Sequence, residues 1–283
     1  MNDTKRANKF IFFLLLYQVF ISLIINKISS QNFYLVYNQL ISLFIPIVFY
    51  FVLTKKKISD VLQIKKISKK NLCLIFLLAI TIQPVMSFFS FLTSIFFENH
   101  TQDLIPILFS KPMWIIFLSS AILPALFEEI IFRGIFFSEY KNIEPKKSFF
   151  INGLIFGAMH LNFQQFLYAM IMGIIFCAVV YFTQSIFSSI LMHFVFNSTQ
   201  ILLAYISINN KFGTFWIQMF KFTDSIFVCL VLTLFFFVIS ILLLNCIIKN
   251  CKRTDNEIYN NEKILTLPLF LYFAFTFFIM CFN

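Results

Sequence analysis

Six polar side chains lie in segments of the sequence that are otherwise apolar. These residues are Glu128, Glu129, Arg133, His160, His193 and Asn197. An ionisable side chain at the centre of a membrane span costs roughly 2.5–3.5 kcal/mol on insertion scales, so a group of such residues needs a functional reason. Carboxylate, imidazole and amide groups together can activate water and stabilise a developing oxyanion. The pattern favours an enzyme active site inside the bilayer.

The two adjacent glutamates are expected to have different roles. Glu129 and Arg133 are four residues apart, so they share a helix face and can form an ion pair. Glu128 points about 100° away and is free to face a cavity as a general base. Pro124, one turn earlier, is expected to bend the helix and loosen its hydrogen bonding. The alternative is a carboxylate pair at a helix end, solvated by the cytoplasm.

The histidines occur in two further patterns with helical spacing. Phe156 and His160 share one face, and so do His193 and Asn197. His193 and Asn197 could supply two donors to an oxyanion. The alternatives are a packed histidine and a hydrogen-bonding pair between helices. On the same helix as His160, a G-x-x-x-G pattern allows a neighbouring helix to approach closely.

The composition shows which elements must position these residues. The chain has 283 residues, of which 60% are hydrophobic and 12% charged, which indicates a membrane protein rather than a soluble domain. Apolar stretches of about 20 residues predict an all-α, polytopic transmembrane helical bundle of about eight or nine spans. The spans are expected near 9–27, 33–54, 72–97, 112–139, 148–161, 164–184, 186–207, 225–249 and 265–283. We divide the chain into N-terminal helices (1–111), a catalytic core (112–207) and C-terminal helices (208–283). The six cysteines are scattered, with no C-x-x-C pair.

The distribution of basic residues predicts the orientation. Lysine and arginine concentrate in alternate connecting segments, most densely in residues 55–70, which places the N-terminus in the cytoplasm. The other side is expected to carry His100 and the interfacial Trp114 and Trp216. The net charge of +10 therefore requires no nucleic acid, and the basic segments face anionic headgroups of the lipid bilayer.

Three of the polar residues are expected at a similar depth. Glu128 and His160 lie about twelve residues from the predicted inner helix ends and His193 about eight, which corresponds to roughly 12–18 Å. We therefore expect one cavity that is open to the cytoplasm.

Taken together, Glu128-Glu129-x-x-x-Arg133, Phe156-x-x-x-His160 and His193-x-x-x-Asn197 resemble the motifs of the CPBP intramembrane proteases. This family includes CAAX proteases and bacteriocin-processing enzymes, also called Abi-like proteins, and the resemblance covers residues 112–207. It implies that Glu128 activates water with help from His160, that His193 and Asn197 hold the substrate carbonyl, and that Glu129 pairs with Arg133. It also implies roles in bacteriocin maturation or self-immunity, some of them without proteolysis.

These expectations leave several alternatives open. Peptide hydrolysis fits the residues, whereas a G-x-S-x-G setting and an H-E-x-x-H helix are both missing from the sequence. Glu128, His160 and His193 are candidate ligands for one Zn²⁺ ion, and metal-dependent and metal-free mechanisms are equally compatible with the sequence. The expected partner is a peptide or membrane-protein substrate at the cell membrane. The competing functions are an immunity or scaffold protein that sequesters a peptide without cutting it, and a transporter with a proton relay.

Overall fold

The computed structural model describes residues 3–28, 34–98, 105–209, 226–251, 259 and 263–282, and within them it is an all-α bundle. We number the helices α1 (Asp3–Ile28), α2 (34–54), α3 (Ile58–Val61), α4 (Lys69–Ser94), α5 (Ile105–Phe109), α6 (Met113–Glu139), α7 (Pro145–Ala158), α8 (Phe163–Thr183), α9 (Ile186–Asn209), α10 (Ile226–Cys251) and α11 (Leu267–Met280). His100 and Trp216 lie outside the described residues.

Seven of the described helices, α1, α2, α4, α6, α8, α9 and α10, are long and apolar enough to cross a membrane. The chain is therefore a multi-pass membrane protein. The other two predicted spans form the shorter helices α7 and α11, each of 14 residues. At 1.5 Å per residue, 14 residues reach only about 21 Å. The helix α7 thus ends before it could traverse a hydrocarbon layer about 30 Å thick.

A tight hairpin connects α7 to α8. Leu161 adopts a left-handed backbone conformation with φ of 52°, and the side chain of Asn162 then caps α8 by accepting from the backbone N–H of Gln164 at 2.8 Å. The two helices approach closely at Gly157, where an added Cβ would lie 2.6 Å from the backbone oxygen of Phe166. The small residues of the G-x-x-x-G pattern therefore serve helix packing, as the sequence predicts.

The bundle has two main apolar clusters. One joins α1, α2, α6, α7 and α11, and includes Phe132 and Phe156. The other joins α4, α8, α9 and α10, and includes Phe176 and Met192. The helix α6 contributes to the first cluster while α8 and α9 contribute to the second, so the polar residues lie where the clusters meet.

One end of the bundle gathers the basic segments, and we call it the basic end. Here the buried carboxylate of Glu139 accepts from Arg6 Nε at 2.9 Å and from Lys56 Nζ at 3.0 Å. The side chain of Lys65 contacts that of Gln184 at the end of α8. The side chains of Arg6, Lys56 and Lys65, from two segments with the same predicted sidedness, therefore lie at the same end of the bundle. The placement of the basic end in the cytoplasm remains a prediction from the charge distribution.

Candidate active site

The helix α6 is irregular where it carries the site. It widens into π-helical turns at Leu118–Ile122 and Ile130–Phe136, on either side of Pro124 and the two glutamates. Pro124 has no N–H, so it cannot donate to the carbonyl of Ser120 four residues earlier. Asn197 of α9 instead donates its Nδ2 to this Ser120 oxygen at 3.1 Å. Pro124 therefore leaves the backbone oxygen of Ser120 available, and this oxygen orients the Asn197 amide.

Glu129 and Arg133 form the expected ion pair, and it is fully buried. Arg133 Nη1 lies 2.9 Å from Glu129 Oε1, and both side chains have 0% relative exposure. Arg133 also donates Nη2 to the backbone oxygen of Gly173 at 3.2 Å. Its guanidinium carbon lies 4.3 Å from the ring centroid of Phe156 and 5.0 Å from that of Phe176. Aromatic faces and one carboxylate thus compensate this cation in a low-dielectric setting.

His193 joins the same buried group. Its Nδ1 lies 2.8 Å from Glu129 Oε1, and its ring stacks on Phe176 at 5.3 Å between centroids. A carboxylate at this distance requires a proton on Nδ1, so the neutral ring presents a lone pair at Nε2. The expectation that His193 and Asn197 supply two donors to an oxyanion stays a prediction. His193 can donate from Nε2 only as an imidazolium.

His160 is fixed by its own helix. It lies two residues after Ala158, the last residue of α7, and its Nδ1 lies 2.8 Å from the backbone oxygen of Phe156. A carbonyl can only accept, so Nδ1 carries the proton and Nε2 is the acceptor in the neutral ring. The Phe156 ring lies edge-on to both histidines, with centroids 5.1 Å from His160 and 6.1 Å from His193. The same aromatic side chain therefore positions both imidazoles.

Four of the six polar residues line one cavity of about 610 Å³. They are Glu128, His160, His193 and Asn197. Glu129 and Arg133 lie behind this wall, fully buried, and contact the lining residues His193 and Phe156 respectively. Glu128 is half-buried and borders the space directly. The structure therefore separates the two glutamates as the helix geometry predicts.

The cavity extends from the middle of the bundle towards the end opposite the basic end. Its lining includes Ser119 near the start of α6 and Gln165 in the first turn of α8. Gln165 and Gln184 are separated by about 28 Å along α8 at 1.5 Å per residue, and Gln184 contacts Lys65 at the basic end. The depths inferred from the sequence, roughly 12–18 Å from the basic end, place Glu128, His160 and His193 near the middle of a layer about 30 Å thick. The expected opening of the cavity to the cytoplasm stays a prediction.

The expected zinc ligands do not assemble into a metal-binding group. Among the described residues, no three His, Cys, Asp or Glu side chains are grouped closely enough to hold a metal ion. Glu128, His160 and His193 line the same cavity, but they do not form such a group. The chemistry developed below therefore contains no metal step.

The sequence interpretation omitted several polar residues of the cavity wall. They are Gln39, Ser119, Ser120, Gln165 and Gln200. Glutamine inside an apolar helix is itself unusual, because its amide must find partners away from water. That signal was available in the sequence for Gln39 and Gln200, which both fall within predicted spans.

Comparison with known families gives one match. Residues 110–199 match the family model described as type II CAAX prenyl endopeptidase Rce1-like. This family model belongs to the CPBP family. The matched region covers 90 of the 283 residues and contains all six polar residues, so the resemblance stated from the motifs is confirmed. No curated protein and no solved structure matches the chain.

Proposed function

We propose that this protein is an intramembrane endopeptidase that hydrolyses a peptide bond with water activated by Glu128. The observation that carries this proposal is the shared cavity of Glu128, His160, His193 and Asn197, with Glu129 withdrawn behind it. The CPBP match supports the same reaction class. A free carboxylate beside two oriented imidazoles is the arrangement that general base catalysis needs.

Glu128 and His160 would hold the attacking water together. The Nδ1 of His160 is occupied by the Phe156 carbonyl, so its Nε2 and the Glu128 carboxylate are both acceptors. A water that donates one hydrogen to each acceptor has an oxygen lone pair left for the substrate carbonyl carbon. As the C–O bond forms, Glu128 takes the proton, and it returns this proton to the leaving nitrogen when the C–N bond breaks.

Asn197 and His193 would stabilise the oxyanion. One N–H of the Asn197 amide donates to Ser120, and the other is available to the substrate oxygen. His193 supplies a second donor when both of its ring nitrogens carry a proton, and the Glu129 carboxylate fixes the ring through Nδ1. The buried pair of Glu129 and Arg133 therefore sets the orientation of His193 without touching the substrate.

The test is the substitution Glu128→Gln, which removes the base and preserves the size of the side chain. The purified protein in lipid nanodiscs is incubated with a peptide library from a digested membrane proteome, and new termini are identified by mass spectrometry. We expect wild type to generate new termini and Glu128→Gln to lose them, since a positioned general base contributes typically 10²–10⁴-fold.

The matched control is Glu144→Gln, which alters an exposed surface glutamate paired with Lys147. It should cleave like wild type. Comparable cleavage by Glu128→Gln and wild type would remove the proposed base. Binding of library peptides without any new termini, in wild type and variant alike, would instead favour a sequestering immunity or scaffold protein. Proton-coupled flux across proteoliposomes would favour a transporter.

A further inference from the structure

A groove of about 450 Å³ lies at the basic end of the bundle, between α1 and α2. Its walls are formed by side chains from residues 6–13 of α1 and residues 49–54 of α2. We call it the basic-end groove. It shares no lining residue with the cavity of Glu128, so it is separate from the proposed active site.

Both walls of the groove change from polar to apolar in the same direction. On α1, Arg6 and Lys9 come first, and Phe13 follows one turn deeper in the bundle. The helix α2 runs the opposite way, so Thr54 at its end lies at the rim and Phe49 lies more than one turn deeper. The groove is therefore cationic and polar at its rim and aromatic below, over about 10 Å along α1.

The aromatic part of the groove lies on the outer surface of the bundle. The rings of Phe13 and Phe49 stack with 5.4 Å between their centroids, and both side chains are exposed. Leu53 continues this apolar surface towards the rim and is also exposed. Because α1 and α2 are long and apolar enough to cross a membrane, these side chains meet lipid acyl chains rather than water. One acyl chain can therefore lie along this part of the groove.

The rim of the groove attracts anions. Guanidinium and ammonium groups are the side chains that bind phosphate oxygens in proteins, and Arg6 and Lys9 supply one of each. Asp3 and Glu139 both contact Arg6, although neither lines the groove. Among the described residues that do line it there is no aspartate or glutamate. Since two carboxylates share the charge of Arg6, the attraction for an anion depends chiefly on the exposed Lys9.

We propose that the basic-end groove binds one anionic phospholipid of the bilayer. The phosphate lies at the rim, on Lys9 and Arg6, and one acyl chain runs along the stacked rings below. A phospholipid has a charged headgroup above an apolar chain, and this order matches the order of the side chains along both walls. The basic end is predicted to lie at the cytoplasmic leaflet, which carries anionic lipids. The bound lipid would join α1 to α2 where Arg6 already ties α1 to Glu139 of α6.

Native mass spectrometry of the full-length protein in detergent measures the binding of single lipids. The protein is titrated with phosphatidylglycerol and with phosphatidylcholine of the same acyl chains, and wild type should bind one phosphatidylglycerol more tightly. Lys9→Gln should weaken this binding about fivefold, since one basic residue near an anionic surface contributes about 1 kcal/mol. Lys9→Arg should bind like wild type. The matched control is Lys5→Gln, which changes an exposed lysine one turn earlier that does not line the groove and should leave binding unchanged.

A second pair of variants tests the acyl chain. Leu53 lines the groove and is 64% exposed, whereas its neighbour Val52 is 65% exposed and does not line it. Leu53→Ser should weaken phosphatidylglycerol binding at least about twofold, because it removes apolar surface that the acyl chain covers. Val52→Ser should bind like wild type. All of these positions are on the surface, so each variant should elute from gel filtration with wild type.

Three results would overturn the proposal. Equal binding of phosphatidylglycerol and phosphatidylcholine would exclude selection of an anion at the rim. Equal losses in Lys9→Gln and Lys5→Gln, or in Leu53→Ser and Val52→Ser, would show lipid that coats the whole surface instead of one site. Full competition by glycerol phosphate, together with unchanged binding in Leu53→Ser, would show a phosphate site that holds no acyl chain.

Discussion

Removing the charge of Glu129 should destabilise the protein strongly, although Glu129 does not line the cavity. In Glu129→Gln the buried guanidinium of Arg133 loses the carboxylate at 2.9 Å, and His193 loses its acceptor at 2.8 Å. Two unit charges about 4 Å apart interact by roughly 4 kcal/mol at an effective dielectric constant of about 20. Breaking a buried pair by removing one partner costs about 3–5 kcal/mol by measurement.

The expected loss can be converted to a melting temperature. At roughly 2–4 °C per kcal/mol for a chain of this size, Glu129→Gln should melt about 6–20 °C below wild type. The assay is exposure of a buried thiol to a maleimide dye during heating in detergent. Cys177 and Cys229 are buried, and the exposed Cys73, Cys246 and Cys281 are first replaced by serine.

The surface pair provides the matched control for this prediction. Glu144 lies 3.0 Å from Lys147 and the two side chains are 46% and 60% exposed, so Glu144→Gln should cost less than about 1 kcal/mol. Glu128→Gln should also melt close to wild type while losing cleavage. If Glu129→Gln melts together with Glu144→Gln, the buried ion pair does not stabilise the bundle and the reasoning is refuted.

Four further predictions follow from the site and its surroundings. Asn197→Leu should lower cleavage by about 10²–10³-fold through loss of an oxyanion donor. Thr199→Ala on the same helix should leave cleavage unchanged. Equal cleavage rates for Asn197→Leu and wild type would exclude Asn197 from the oxyanion site. Gly173→Ala should lower stability by about 1–3 kcal/mol in the thiol assay, because its Cβ would lie 2.8 Å from a backbone carbon of α7. An unchanged melting temperature would contradict the close packing of α8 on α7. An impermeant maleimide added to intact cells should label a cysteine at Gln165 and miss one at Lys66, and the reverse pattern would invert the orientation. A metal chelator should leave cleavage unchanged, and loss that Zn²⁺ restores would demonstrate a metal mechanism.

The contacts that the sequence predicted are those within one helix. The pair of Glu129 and Arg133 follows from their spacing of four residues, and the separation of Glu128 from it follows from the same geometry. The positions of the long spans follow from the lengths of the apolar stretches. In each case one helix and its periodicity contain all the information that is needed.

The contacts that the sequence did not predict depend on how helices rotate against each other. The bond from His193 to Glu129 joins α9 to α6, and helical spacing on either helix alone gives no indication of it. Asn197 could have been traced, because Pro124 necessarily frees a carbonyl, but its partner becomes evident only when α9 is in place. The extent of the cavity could not be predicted, because depths counted along single helices do not show which walls enclose the space.

The placement of Glu129 and Arg133 on the same helix also bears on how the protein is made. The helix α6 is synthesised and delivered to the bilayer before α9 exists, so His193 is not yet present to share the charge. Because the two opposite charges are one turn apart, they can neutralise each other within the newly inserted helix. Separate charges would each cost roughly 2.5–3.5 kcal/mol at the membrane centre. Biosynthesis can therefore proceed with this pair already formed, and His193 joins it when the later helices assemble.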